Sequence, residues 1–176
     1  VQPLAIADYE KALKLNPKNG LALLDKTYLR KIVSYIDFSL ILSDYDLAIQ
    51  YLKAGGNSAD LARAYGLRGL AYADEFIYDK AISDYTTALK LRPNYIRFLD
   101  RRGSAYQSDK KLDAAIADYS EYLKVKPSAR IFNERAGIYE EKGEISKAVA
   151  DYRAALALEP NNNTAKTRLA KLGGKP

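Results

Sequence analysis

The side chains of this sequence that can take part in chemistry are carboxylates, lysines, arginines and tyrosines, because its 176 residues include no Cys and no His. Without a thiolate or an imidazole, the chain cannot build a soft metal site, a cysteine nucleophile or a histidine-assisted triad. The carboxylates fall on helical faces predicted to be exposed, and nothing in the sequence marks a cleft that two of them share. The residue types therefore predict a non-enzymatic protein with no catalytic residues, metal or cofactor.

The charged residues are unevenly distributed along the chain. The formal net charge is +6, and residues 1–60 hold seven basic and seven acidic side chains, so the whole excess falls in residues 61–176. A basic excess favours anionic partners without identifying them. The longest apolar-rich stretch, residues 32–42, contains Asp37 and is too short to cross a bilayer. We expect a soluble protein without membrane insertion, cytoplasmic or periplasmic, since the absence of Cys does not fix the compartment.

One phrase recurs four times and organises the chain. It reads AIADYEKALKLNP (5–17), AISDYTTALKLRP (81–93), AIADYSEYLKVKP (115–127) and AVADYRAALALEP (148–160). The prolines that close the last three phrases, Pro93, Pro127 and Pro160, are 34 and 33 residues apart. Apolar residues at helical spacing predict an amphipathic helix in each phrase, and the proline ends it. A fixed period of this length is typical of arrays in which each unit buries its apolar face against its neighbours.

A second predicted helix precedes each of the last three phrases, at residues 61–75, 96–109 and 129–142. Each of these segments carries a small residue followed three places later by a tyrosine. The pairs are Gly69 with Tyr72, Gly103 with Tyr106, and Ala136 with Tyr139. The small residue lets the paired helix approach closely, and the tyrosine fills the space one turn on. Short connections between the two helices predict antiparallel hairpins.

These residues resemble the tetratricopeptide repeat, in which a small residue and an aromatic on the first helix are followed by Ala, aromatic, Ala and Pro on the second. Residues 62–95 and 129–162 match this pattern throughout. Residues 96–128 match it except at Tyr122, where a small residue is usual and where we expect one helix contact to shift. The resemblance implies an all-α fold, a right-handed superhelical solenoid of antiparallel helix pairs, that acts as a protein–protein interaction scaffold.

The ends of the chain depart from the regular repeat. Residues 1–19 supply only the second helix of a repeat, which predicts that the chain was cut from a longer array. Residues 20–61 are an irregular repeat with an insertion, since Ala48, aligned with Ala5, follows it by 43 residues. Residues 163–176 are expected to form a C-terminal capping helix over the last apolar face.

The resemblance also implies a concave groove, lined by the first helices, that receives a peptide or helix of another protein. Arg63, Arg97 and Arg130 take the second place of successive first helices, and Arg101 follows Arg97 by one turn. The other residues assigned to this groove are Asp100, Asn133 and Glu134. Guanidinium groups bind carboxylates bidentately, which predicts an acidic peptide or a free C-terminus as the partner. The alternative, that these arginines are solvated side chains covering apolar surface, stays open.

The resemblance also allows these arginines to be compared with a known peptide-binding site of the family. Arg97 and Arg101 match the third-repeat cations of the clamp with which some tetratricopeptide proteins hold the acidic tails of heat-shock chaperones. Leu67 stands where that clamp needs Asn, so the sequence does not predict a chaperone-tail adaptor.

A second arginine column precedes the small residues by one place and is predicted to link neighbouring helices. It consists of Arg68, Arg102 and Arg135.

Three alternatives to groove binding remain at this point. The apolar segment 32–42 either packs as a longer first helix or exposes a patch for a partner or for self-association through residues 1–42. The patch would comprise Ile36, Phe38, Leu40 and Ile41. The chain is alternatively a regulatory or targeting module cut from a larger protein. An RNA-binding helical repeat is the third alternative, but most of the tyrosines fill repeat positions, so no nucleic acid is expected.

Overall fold

The computed structural model describes residues 2–33, 37–55 and 57–173. Within these ranges the secondary structure consists of ten α-helices and no strands, which confirms the all-α prediction. The helices are α1 (Gln2–Leu15), α2 (Gly20–Val33), α3 (Phe38–Gly55), α4 (Ser58–Asp74), α5 (Tyr78–Leu91), α6 (Ile96–Ser108), α7 (Leu112–Val125), α8 (Ala129–Glu141), α9 (Ile145–Leu158) and α10 (Asn163–Lys171). They form two compact units, residues 1–98 and residues 99–176. In the described part of the chain, no helix combines the length and the apolar content needed to span a membrane.

The odd-numbered helices α1 to α9 share one register, because each carries a tyrosine as its eighth residue. These tyrosines are Tyr9, Tyr45, Tyr85, Tyr119 and Tyr152. The last four are fully buried, so each fills the space between its helix and the neighbouring ones. In the irregular repeat, the residue equivalent to Tyr85 is therefore Tyr45, and Ala48 is equivalent to Ala88 rather than to Ala5. The alignment of Ala48 with Ala5 was wrong, since it ignored the tyrosine that the core selects.

The predicted close approach between paired helices is observed at the glycines of the first helices. A Cβ atom added to Gly103 would lie 2.8 Å from Cε1 of Tyr119, and one added to Gly69 would lie 3.0 Å from Cε1 of Tyr85. Both distances are shorter than an ordinary van der Waals contact, so a larger residue would push the tyrosine ring. The glycine and the buried tyrosine thus specify the distance between the two helices of a repeat.

Each unit has its own apolar core. The core of unit 1 is built around Leu24, Tyr45 and Ala64, with Ile41 among its members. Unit 2 has one cluster around Tyr119, Ile131 and Ile138, and another in which Tyr152 packs with Ala165 and Leu169 of α10. The helix α10 therefore covers the apolar face of α9.

The helix α1 is less covered than its equivalents later in the chain. Its residues Ile6, Tyr9 and Leu13 are half-buried. In α5 the corresponding tyrosine and leucine, Tyr85 and Leu89, are buried. The apolar face of α1 is thus less covered in this structure than that of α5.

The first helices α4, α6 and α8 end in the same turn. In each, a backbone N–H donates to the carbonyl oxygen five residues earlier: Ile77 to Tyr72 at 2.9 Å, Lys111 to Tyr106 at 2.8 Å, and Glu144 to Tyr139 at 2.8 Å. The residue just before each donor has a positive φ: 59° at Phe76, 59° at Lys110 and 74° at Gly143. This is a Schellman motif, which places one residue in the left-handed region that glycine tolerates best.

The shared turn predicts opposite effects for two substitutions. Phe76→Gly is expected to raise the free energy of unfolding by about 1 kcal/mol, because a non-glycine residue in the left-handed region is strained. Gly143→Ala is expected to lower it by about the same amount, since a Cβ atom at Gly143 meets nothing within 4 Å and the whole effect is conformational. Urea denaturation followed by circular dichroism measures both. Equal stabilities for the two variants would contradict this reading of the turn.

Candidate functional site

Arg63 on α4, one of the arginines predicted to line the groove, forms an ion pair within unit 1. Arg63 donates from Nη2 to Oδ1 of Asp25 on α2. The side chain of Asp25 is largely covered, while that of Arg63 is partly exposed. The carboxylate of Asp25 therefore balances the charge of Arg63 within unit 1, which reduces what this arginine offers to a partner.

The groove arginine of α8 is paired in the same way in unit 2. Arg130 donates from Nη2 to Oδ2 of Asp100 on α6 at 2.5 Å. Burial alone would lower the pKa of Arg130, but the hydrogen bond that Arg130 donates to Asp100, with the charges of Asp100 and Glu134, outweighs burial and raises it. Asp100 is thus a partner of Arg130, and Glu134 adds a second negative charge near the same guanidinium.

The two groove arginines of α6 differ from the other two. Arg97 and Arg101 are exposed, and neither has an ion-pair or hydrogen-bond partner among residues 2–33, 37–55 and 57–173. They lie one turn apart on α6, so their side chains project on the same side of this helix. Of the four predicted cations, these two retain guanidinium groups that another molecule can bind.

The amide assigned to the groove has a structural role. Asn133 donates from Nδ2 to Oδ1 of Asn162 at 3.0 Å. Asn162 is the N-cap of α10, where the same Oδ1 accepts from the backbone N–H of Ala165 at 3.0 Å. The Asn133 side chain therefore holds the start of α10 against α8.

The second arginine column links helices, as predicted. Each arginine forms two hydrogen bonds to the aspartate that precedes the buried tyrosine of the next helix. The pairs are Arg68 with Asp84 (2.8 and 2.7 Å), Arg102 with Asp118 (2.8 and 2.7 Å) and Arg135 with Asp151 (2.7 and 2.8 Å). The aspartates are buried, and planar bidentate pairing is the strongest geometry that Arg and carboxylate form. These aspartates were not predicted from the sequence as partners of the arginines, although each stands beside the tyrosine in the repeated phrase.

Arg68 and Arg135 also reach the preceding second helix. Arg68 donates to Asp46 of α3 at 2.5 Å, and Arg135 donates to Ser120 of α7 at 2.7 Å. The hydrogen bonds that Arg68 donates to Asp84 raise the pKa of Arg68, although burial opposes this. Each of these two side chains therefore joins three helices within its unit.

The structure changes the composition of the predicted apolar patch. Ile41 is only 6% exposed and belongs to the core of unit 1, so its assignment to an exposed patch was wrong. Phe38 is half-buried and packs edge-on against Tyr72, with ring centroids 6.1 Å apart. Leu40 is exposed, and Ile36 lies outside the described residues. Because Asp37 is not helical and α3 begins at Phe38, the segment 32–42 is not one longer first helix.

The family of this chain follows from three sequence matches. The tetratricopeptide repeat matches residues 4–19, 62–95 and 101–169, which together are more than half of the chain. The chain belongs to the tetratricopeptide repeat family. In this family's terms, α4 with α5, α6 with α7, and α8 with α9 are the first and second helices of three tetratricopeptide repeats.

Known tetratricopeptide proteins resemble the chain over different lengths. It is 30% identical over 116 residues to the tetratricopeptide repeat domain-containing protein PYG7, chloroplastic, of Arabidopsis thaliana, and spans only 28% of that protein's length. A structure of the first tetratricopeptide domain of Spaghetti (RPAP3), bound to the HSP90 peptide SRMEEVD, is 28% identical, with a TM-score of 0.60 over 65% of this chain and 92% of that one. A crystal structure of MamA is 26% identical, with a TM-score of 0.70 over 94% of this chain and 89% of that one.

Proposed function

We propose that this chain is a non-enzymatic protein–protein interaction module that binds an acidic peptide segment, or a free C-terminus, of another protein through α6. The observation that carries the proposal is the pair of exposed guanidinium groups of Arg97 and Arg101, which have no ion-pair or hydrogen-bond partner in the described part of the chain. Membership of the tetratricopeptide repeat family supports it. So does the RPAP3 domain, whose bound peptide SRMEEVD has three acidic residues.

The paired arginines contribute less to such binding than the free ones. A carboxylate of a partner would have to compete with Asp25 for Arg63 and with Asp100 for Arg130. Binding at α6 breaks no ion pair that the structure describes, so the whole energy of a charge-assisted hydrogen bond is available there. The four arginines predicted from the sequence are thereby reduced to one dominant pair on α6.

The proposal concerns acidic peptides in general rather than chaperone tails. Leu67 of α4 is apolar and offers no amide to the backbone of a bound tail. Specificity for one tail would need several such polar contacts, whereas two guanidinium groups select carboxylates by charge and planarity. We therefore expect acidic peptides of different sequence to compete with one another for this surface.

Reversal of the two free charges tests the proposal. The variant carrying Arg97→Glu and Arg101→Glu is expected to bind a dye-labelled acidic peptide at least tenfold more weakly than the wild-type chain, because each charge-assisted hydrogen bond contributes about 1.5–3 kcal/mol. Fluorescence anisotropy measures the affinity, and raising the salt concentration should weaken the wild-type complex. Both arginines are exposed, so the melting temperature should change little.

A matched control separates this site from a general charge effect. The variant carrying Lys166→Glu and Lys171→Glu changes the net charge by the same amount on α10, where both lysines are exposed. It should bind the acidic peptide nearly as well as the wild-type chain does. Equal loss of affinity in the two double variants would show that only net charge matters and would refute the assignment to α6.

A further inference from the structure

A different surface is marked by Phe76, at the turn between α4 and α5. Its ring is 77% exposed although its backbone lies in the left-handed region, at φ 59°. Its aromatic contact is an edge-on one to Tyr78, with ring centroids 6.2 Å apart. The equivalent positions hold Lys110 and Gly143, so the turn itself requires no aromatic side chain. The strain belongs to the shared turn, but an exposed phenylalanine that this turn does not need is a candidate contact for another molecule.

Two contacts bring other exposed apolar residues to the same edge of unit 1. The end of α2 meets the end of α4 through the ion pair between Lys31 and Asp74. The start of α3 meets α4 one turn before Phe76, where Phe38 packs against Tyr72. The side chains that these contacts leave exposed are Ile32 (53%), Val33 (41%) and Leu40 (58%). We call these three residues and Phe76 the turn edge.

The cations around the turn edge are engaged within unit 1. Arg30 lies 3.9 Å from Asp44, Lys31 pairs with Asp74, and Lys80 lies over the ring of Tyr72, 5.3 Å from its centroid.

Two exposed carboxylates near the turn edge have no cationic partner in the described part of unit 1. Glu75 adjoins Phe76. Asp37, three residues before Leu40, accepts hydrogen bonds from the Ser39 side chain and backbone, which hold its pKa below the usual value. The rim is therefore acidic, although the chain as a whole carries a net charge of +6.

We propose that the turn edge binds the apolar face of a basic amphipathic helix from another protein. Four exposed apolar side chains provide the anchors that such a face buries. The carboxylates of Asp37 and Glu75, which have no cationic partner among the described residues of unit 1, complement lysines or arginines that flank it. This surface is distinct from Arg97 and Arg101, whose charge selects the opposite kind of ligand. The chain thus has one site for an acidic segment and another for a basic helix.

Two designed peptides serve as probes for the turn edge. One is an 18-residue helix with a leucine stripe and lysines elsewhere, and the other carries glutamate in place of every lysine. We expect the lysine peptide to bind the variant with Arg97→Ala and Arg101→Ala, which lacks the proposed acidic-peptide site, at least tenfold more tightly than the glutamate peptide does, by fluorescence anisotropy. Equal affinities for the two peptides would overturn the proposal, because the acidic rim would then have no role.

Substitutions in the turn edge locate the binding. The variant with Leu40→Ser and Phe76→Asn should bind the lysine peptide at least tenfold more weakly, and its melting temperature should not fall, because Asn tolerates the left-handed region. The matched control carries Lys110→Asn and Val125→Ser, which alter the equivalent turn and an exposed apolar residue of unit 2. It should bind like the wild-type chain, as should the variant with Arg97→Ala and Arg101→Ala.

Two results would overturn the assignment. One is unchanged affinity of the Leu40 and Phe76 variant for the lysine peptide, which would move binding away from the turn edge. The other is a wild-type dimer in sedimentation equilibrium that this variant abolishes, which would make a second copy of the chain the occupant instead of a basic helix.

Discussion

Replacement of Tyr119 by alanine is expected to lower the free energy of unfolding by about 3–5 kcal/mol, the range for removing a large aromatic side chain from a core. The side chain is fully buried in unit 2, where it packs with Ile131 and Ile138. Its hydroxyl lies 3.1 Å from Oγ of Ser104 and donates to Gln107 at 3.3 Å. Urea denaturation followed by circular dichroism gives the change directly.

Two control variants separate the contribution of the Tyr119 hydroxyl group to stability from that of its buried ring. Tyr119→Phe keeps the ring and removes the hydroxyl, so it should cost only about 1 kcal/mol, the net contribution of a typical hydrogen bond. Tyr122→Ala, on the same helix, removes a half-buried tyrosine that packs at the margin of the same cluster, and its cost should be clearly smaller than that of Tyr119→Ala. If Tyr119→Ala and Tyr122→Ala proved equally destabilising, the buried ring would not be the element that sets the helix distance.

The second large effect is expected at a buried ion pair. Asp151→Ala removes both acceptors of the Arg135 fork and leaves a guanidinium that is mostly covered by α7, α8 and α9. Breaking a buried pair in this way costs about 3–5 kcal/mol. We expect the lower end of that range, because the 17% exposed part of the Arg135 side chain still meets water. Thermal or urea denaturation measures the loss.

The double variant with Arg135→Met and Asp151→Leu shows whether the loss of stability comes from the unpaired charge of Arg135. Apolar residues of similar volume often replace a buried pair without net cost, so the double variant should recover most of the stability that Asp151→Ala loses. Lys124→Ala removes one partner of an exposed pair with Glu121 and should change the stability by less than about 0.5 kcal/mol. A double variant less stable than Asp151→Ala would mean that the fork itself, rather than the compensation of charge, supports the fold.

The repeat architecture was predictable from the sequence because the same physical requirement recurs in it. The small residues Gly69, Gly103 and Ala136 and the buried tyrosines stand at constant spacing, and constant spacing along a helix means a constant face. The irregular repeat was aligned wrongly at Ala48 because alanine is common and small at several core positions. Only the fully buried ring of Tyr45 identifies the register, and burial is a property of the folded chain.

The candidate site was less predictable, since it depends on which charges find partners. Arg63, Arg97 and Arg130 occupy equivalent places in the sequence, yet Arg63 pairs with an aspartate 38 residues away and Arg130 with one 30 residues away. Neither distance corresponds to the repeat, so no local pattern marks these pairs. Ile41 was misplaced for the same reason, because the neighbours that cover it come from other helices.

The contacts that Arg68 and Arg135 each make with three helices also affect the local unfolding of the protein. If α9 separates from α8, Arg135 loses Asp151 but keeps Ser120 of α7, so an unbalanced guanidinium stays behind in the remaining structure. The same holds for Arg68 when α5 separates, although Asp46 of α3 then shares its charge. Fraying of a single hairpin is thereby penalised, and adjacent hairpins are coupled in their local unfolding. The arginine column thus acts as a source of folding cooperativity in an architecture whose apolar contacts reach only from one repeat to the next.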